Sequence, residues 1–176
     1  MHRIMIVDDE ENVARALRRA LAASDVEIEL FSRPHEALRR AQTANFDLVI
    51  SDYRMPEMDG IRLLSEIKQI QPDAMRIIIS GHADLEGLIG AVNAAEIFRF
   101  ISKPWNDPDL TLCVRHALKH RAILVENRHL ADQVRAQRQE LSRQKTALQQ
   151  LESKYPGLVR VNWGEDGSII LEEGDT

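Results

Sequence analysis

The chain has 176 residues, 44% of them apolar, with 28 acidic against 23 basic side chains and a net charge of −5. That composition supports one ordinary domain with a real core plus something left over, and the charge, with no long basic block, argues against nucleic acid as a direct partner. A lone cysteine, Cys113, excludes an internal disulfide, and no apolar run has the length of a signal peptide or a membrane span, so a soluble cytoplasmic protein is expected.

Ile4 to Val7 is a short apolar run closed by Asp8-Asp9-Glu10-Glu11, and it reads as a buried strand. Val13, Leu17, Ala20 and Leu21 then recur at helical spacing. Val26 to Phe31 alternates as a second strand, with Val26, Ile28 and Leu30 on one side and Glu27 and Glu29 on the other. Pro34 suits the first turn of a helix that continues through Ala37, Leu38 and Ala41. Phe46 to Ile50 is the third strand. Its apolar run closes on Ser51-Asp52, before a loop turned by Pro56 and Gly60. Asp59 can cap the next helix, whose apolar face is Leu63, Leu64, Ile67 and Ile70, and Pro72 ends it. Arg76 to Ser80 is a fourth buried strand, followed by Gly81; Asp84 to Asn93 is a weaker helix carrying Gly87 and Gly90. Ile97 to Ile101 is the fifth strand, followed by Ser102-Lys103-Pro104, and a last helix opens near Asp107-Pro108.

Strands that alternate with helices imply an α/β fold with a parallel sheet covered on both faces. Right-handed crossovers leave few topologies, and the doubly wound, flavodoxin-like order 2-1-3-4-5 is expected. Its switch point lies between strands one and three, which end in Asp8-Asp9 and Asp52. A carboxylate at a strand's carboxyl end can hold a metal, act as a base, or attack a phosphoryl group. Three carboxylates brought together raise one another's pKa. A hard divalent cation relieves that, and oxygen-only ligands suit Mg²⁺. Ser80 and Lys103, ending strands four and five, face the same crevice and make a phosphate-sized pocket. Pro104 directly after Lys103 is a candidate cis peptide.

In order and spacing, Asp8-Asp9, Asp52 with Met-Pro-Glu-Met-Asp-Gly after it, Ser80-Gly81 and Lys103-Pro104 resemble the CheY-like receiver domain of two-component response regulators. The resemblance implies that Asp52 is the phosphoacceptor and that a sensor histidine kinase is the donor. It implies that Asp9 ligates Mg²⁺ directly, that Asp8 holds metal-bound water, and that the backbone carbonyl of Arg54 is a further ligand. Ser80 would follow the phosphoryl group, Lys103 would contact it, and Phe100 resembles the family's rotating aromatic switch. Receivers catalyse only their own phosphorylation and slow dephosphorylation, so no separate enzymatic activity is expected. Arg54 and His82, two residues after Asp52 and Ser80, are candidates for tuning the lifetime of the aspartyl phosphate.

From Asp109 to Tyr155 the chain has no proline or glycine, so one helix of roughly 70 Å is expected. Heptads place His120, Asn127, Val134, Leu141, Leu148 and Tyr155 at a, and His116, Ile123, Leu130, Gln137, Gln144 and Leu151 at d. Asn127 at a favours two strands, and Glu140 at g faces Lys145 at e of a parallel partner, so a parallel homodimer is expected. Cys113, His116 and His120 share a helix face. They either bind a transition metal such as zinc or pack against the sheet and along the seam. Pro156-Gly157 ends the helix, and 158–171 reads as a hairpin around Gly164-Glu165-Asp166-Gly167 before an acidic tail. The expected organisation is a receiver over 1–120, a long helix over 109–155, and a hairpin with tail over 156–176. The leading function is a response regulator that relays phosphorylation of Asp52 through the coiled coil to a partner protein. The alternatives are a scaffold that binds through the coiled coil and hairpin, the receiver fragment of a longer regulator with an enzymatic or DNA-binding output, and a metal-dependent phosphatase using the same carboxylates.

Overall fold

The computed structural model describes residues 1–22, 25–81, 95–155, 162–163 and 169–170. The elements are β1 (His2–Val7), α1 (Glu11–Ala20), β2 (Val26–Phe31), α2 (Pro34–Ala41), β3 (Leu48–Asp52), α3 (Gly60–Ile70), β4 (Met75–Gly81), β5 (Arg99–Lys103), α4 (Asp107–Lys154), β6 (Asn162–Trp163) and β7 (Ile169–Ile170). The expected helix over 84–93, His82, and the turn and tail around the last two strands lie outside the described residues. The chain divides into two units, Met1–Glu126 and Asn127–Thr176.

In the first unit, five strands pair in the order β2-β1-β3-β4-β5, and every pairing is parallel. This is the expected doubly wound sheet. Both faces are covered, and the two-residue period of a strand decides which side chain meets which layer. Ile4, Ile6, Leu48, Ile50, Ile77 and Ile79 face α1 and the first turns of α4, where Leu17, Leu110, Val114 and Ala117 are buried. Met5, Val7, Val49 and Ile78 face α2 and α3, against Ala37, Leu63, Leu64 and Ile67. The strands are therefore continuous apolar runs rather than alternating ones. The edge strand β2 does alternate, and its Val26, Ile28 and Leu30 are only half-buried.

Local signals set the helix starts. Pro34 stands in the first turn of α2, and the Asp59 carboxylate accepts the Arg62 backbone N–H at 2.8 Å. Some expectations shift, among them the start of β1, which lies at His2 rather than Ile4. β3 begins at Leu48 rather than Phe46, because the Phe46 N–H turns away to the Gln71 side-chain oxygen at 2.8 Å. The Gln71 amide in turn donates to the carbonyls of Ala41 and Ala44. β5 begins at Arg99 rather than Ile97, and Ile70 is exposed beyond the buried face of α3. Arg76, inside an otherwise apolar strand, is buried and donates to the carbonyls of Ala95, Pro72 and Ala74.

In the second unit, α4 runs on to Lys154, and β6 pairs antiparallel with β7 through Asn162↔Ile170 and Trp163↔Ile169. Among the described residues no helix is long and apolar enough to cross a membrane.

Candidate functional site

Strand register brings the site together. Val7 pairs with Ser51, Asp52 with Ile79, and Gly81 with Lys103. Asp8 and Asp52 therefore stand level, with Ser80 one residue and Lys103 two residues further along, at the carboxyl edge of four adjacent strands. Asp8, Asp52 and Ser80 are all buried. Lys103 bridges the acids: its Nζ lies 2.5 Å from Asp52 Oδ1 and 3.1 Å from Asp8 Oδ2, with Glu10 Oε1 further out at 4.0 Å. The second oxygen of each aspartate accepts the backbone N–H two residues on, Glu10 at 2.9 Å for Asp8 and Arg54 at 2.8 Å for Asp52. Both acids thus form Asx-type turns at strand ends, which directs the loops that follow.

Burial pushes the Asp8 carboxyl above its ordinary value; the Glu10 N–H and Lys103 oppose this but do not overcome it. Burial works against the charge on Lys103 as well, yet the hydrogen bonds and charges of Asp52 and Asp8 win and its pKa is raised. The ammonium therefore stays charged between two acids. The Ser80 hydroxyl oxygen is buried and, among the described residues, has no hydrogen-bond partner. A buried hydroxyl without a partner is costly unless a ligand supplies one.

The Asp52 loop returns so closely that a Cβ on Gly60 would collide with the Asp52 carbonyl oxygen and the Ile78 side chain. The Gly60 N–H closes this turn onto the Tyr53 carbonyl at 2.9 Å. The Lys103–Pro104 peptide is cis.

Of the other expected residues, Asp9 and Arg54 are exposed. Phe100 is half-buried against the layer that contains Met5, Val49 and Ile78. Among the described residues, no group of three His, Cys, Asp or Glu side chains stands together to hold a metal. Asp8 and Asp52 are engaged by Lys103 instead. Two carboxylates, with a third on the next residue and only oxygen donors, are nonetheless the chemistry a hard divalent cation takes. Cys113 is buried in the core with its thiol pushed up by burial, and the His120 ring lies 5.5 Å from that of Phe98. Cys113 packs against the sheet layer, whereas His116 and His120 are exposed. The amides of Glu10 and Arg54 are site groups that motif reading passed over. The signal for them is an aspartate at a strand end with a turn after it.

The family model for the response regulator receiver domain matches residues 4–115. Regulatory protein AtoC of Escherichia coli (strain K12) is 35% identical over 130 residues, which cover 74% of this chain and 28% of that protein. The DNA-binding transcriptional regulator NtrC of Salmonella typhimurium is 32% identical over 117 residues, covering 66% and 25%. The chain thus spans about a quarter of the length of these curated relatives. Among solved structures, the signal receiver domain of an HD domain-containing protein from Pseudomonas fluorescens Pf-5 superimposes with a TM-score of 0.67 at 35% identity, covering 71% of this chain and 92% of that one. A receiver domain protein from Clostridium thermocellum gives 0.65 at 30%, covering 70% and 99%.

Proposed function

The chain belongs to the response regulator receiver family, and from that premise we propose that it takes a phosphoryl group onto Asp52 from a sensor histidine kinase. The observation that carries the assignment is the Lys103 ammonium held between Asp52 and Asp8, beside the partnerless Ser80 hydroxyl. An Asp52 oxygen attacks phosphorus, the P–N bond of the donor phosphohistidine breaks, and the electron pair leaves on the imidazole nitrogen. Asp8, Asp9, Asp52 and the Arg54 carbonyl would hold Mg²⁺, which when bound neutralises charge on the transferring oxygens. Lys103 gives up Asp52 for a phosphoryl oxygen, and the Ser80 hydroxyl finds there the acceptor it lacks. Phe100 follows Ser80 inward, and the side chains of Arg54 and His82 set how fast water removes the phosphoryl group.

Acetyl phosphate with Mg²⁺ is expected to add one phosphoryl group to the wild-type chain and none to Asp52→Asn, read by intact mass. Equal labelling of the two would discard the assignment. Ser80→Ala is expected to label more slowly at an unchanged final mass.

The output side of the reading is a parallel homodimer through α4. Ile123, Leu130, Val134, Leu141, Leu148 and Leu151 are all exposed along this helix, and Tyr155 just past its end, at a and d spacing. Such a stripe wants a partner helix. Glu140 and Lys145 supply the flanking charge match for a second parallel copy. A second reading, in which the chain is the receiver portion of a longer regulator, draws on the quarter-length coverage of its relatives. On the first reading the relayed signal ends on a protein partner, and on the second it ends on an output domain of the longer chain.

A further inference from the structure

The face that α4 buries ends abruptly. Leu110, Cys113, Val114, Ala117 and Leu118 are buried and Arg121 is half-buried, after which every residue from Ala122 to Leu151 is exposed. Two contacts hold the last docked turn. Arg121 Nη1 lies 2.6 Å from Asp47 Oδ1, and the His120 ring tilts against Phe98. Asp47 directly precedes β3, and Phe98 directly precedes β5. These are the two strands whose far ends carry Asp52 and Lys103. The helix is therefore gripped at the entrances of the strands whose exits hold the ammonium–carboxylate pair.

Asp47 is firmly built into the sheet. Its other carboxylate oxygen accepts the Arg3 N–H at 2.7 Å, its own N–H donates to the Arg3 carbonyl at 2.8 Å, and its carbonyl accepts the Met75 N–H at 2.9 Å. A shift of β3 carries that carboxylate with it. Both members of the pair are mostly shielded, at 19% exposure for Asp47 and 25% for Arg121, so water screens them less than a surface pair.

We propose that the Asp47–Arg121 ion pair is a joint through which the phosphoacceptor strand sets where α4 leaves the domain. The proposal builds on Asp52 as acceptor and adds the route by which a change there reaches the outgoing helix. A five-residue strand is a stiff, short link, and packed elements move as units rather than deform. Losing the joint frees the turn around Arg121 without touching any residue of the phosphoryl site.

Hydrogen exchange followed by mass spectrometry on the full chain tests this, with and without beryllofluoride and Mg²⁺. In the untreated protein, Arg121→Ala is expected to exchange about fivefold faster over 118–125, as for the loss of a pair worth about 1 kcal/mol. The earlier helix, 110–114, keeps its protection. Arg121→Lys restores most of the protection, and Arg121→Glu, which repels Asp47, exceeds Arg121→Ala. Beryllofluoride is expected to alter exchange at both 53–60 and 118–125 in the wild type, but only at 53–60 in Arg121→Ala. Unchanged exchange at 118–125 in untreated Arg121→Ala, or a beryllofluoride response there that survives the substitution, overturns the joint. A wild-type chain whose 53–60 amides ignore beryllofluoride overturns the acceptor assignment instead. The untreated comparison keeps the two failures apart.

Discussion

Single side chains at the sheet edge carry opposing demands, and each can be tested alone. Asp8 is the clearest case, because burial raises its pKa. A carboxyl whose folded pKa is raised contributes most to stability below its unfolded value, and that contribution is lost as pH rises through the folded value. As pH rises past the unfolded value, without a cation, the Asp8 carboxyl therefore costs stability. Asp8→Asn is expected to melt higher than wild type in EDTA while its Mg²⁺ affinity falls, read by thermal unfolding across a magnesium titration. Gly60→Ala has no such compensation. The new methyl meets the Asp52 carbonyl oxygen, so a loss of at least about 2 kcal/mol is expected in urea unfolding. The acids, the hydroxyl and the lysine were legible in the sequence because each closes an apolar run. The bridging of Asp8 and Asp52 by Lys103 was not, since it depends on side-chain reach across three strands. Nor was the burial of the Arg76 side chain, which is answered by backbone carbonyls and by the Glu96 carboxylate at 3.5 Å, partners that no residue pattern announces.

At the scale of elements, the edge strand β2 is held by charge as much as by burial. Glu29 accepts from Arg40 of α2 at 2.8 Å and from Arg3 of β1 at 2.6 Å. The Arg40 hydrogen bond is the main reason its carboxyl sits below the ordinary 4.5. A lowered carboxylate gives its full contribution above the unfolded pKa and loses it as pH falls through the folded one. Glu29→Gln should therefore melt below wild type at pH 7, with the gap closing as both are taken below pH 4. Element identity followed from period: continuous apolar runs for buried parallel strands, and three-to-four spacing for helices. Boundaries followed less well. The start of β3 moved because the Gln71 side chain, distant in sequence, captures the Phe46 amide. A window of neighbouring residues cannot register such a competitor.

For the whole molecule, the question is what covers the apolar stripe of α4. Leu141→Arg places a charge at a central a position of that stripe. If two parallel helices cover it, this variant should turn a dimer into a monomer in light scattering while leaving acetyl phosphate labelling of Asp52 unchanged. A wild-type chain that is monomeric at micromolar concentration would remove the dimer from the reading. The sequence revealed the stripe because heptads survive as a simple count. It left Asp47 and Arg121 unconnected, because the pair joins the start of a strand to a helix turn 74 positions later.

The burial of the single thiol, Cys113, has a practical reach. Its pKa is pushed up and its sulfur is packed in the core, so maleimide and methanethiosulfonate reagents should pass it by under native conditions. A lone cysteine introduced at an exposed site such as Ser142 would then carry a spin label without any background to remove. Pulsed dipolar spectroscopy on that derivative would measure label-to-label spacing between chains, and would distinguish aligned from head-to-tail helices in frozen solution.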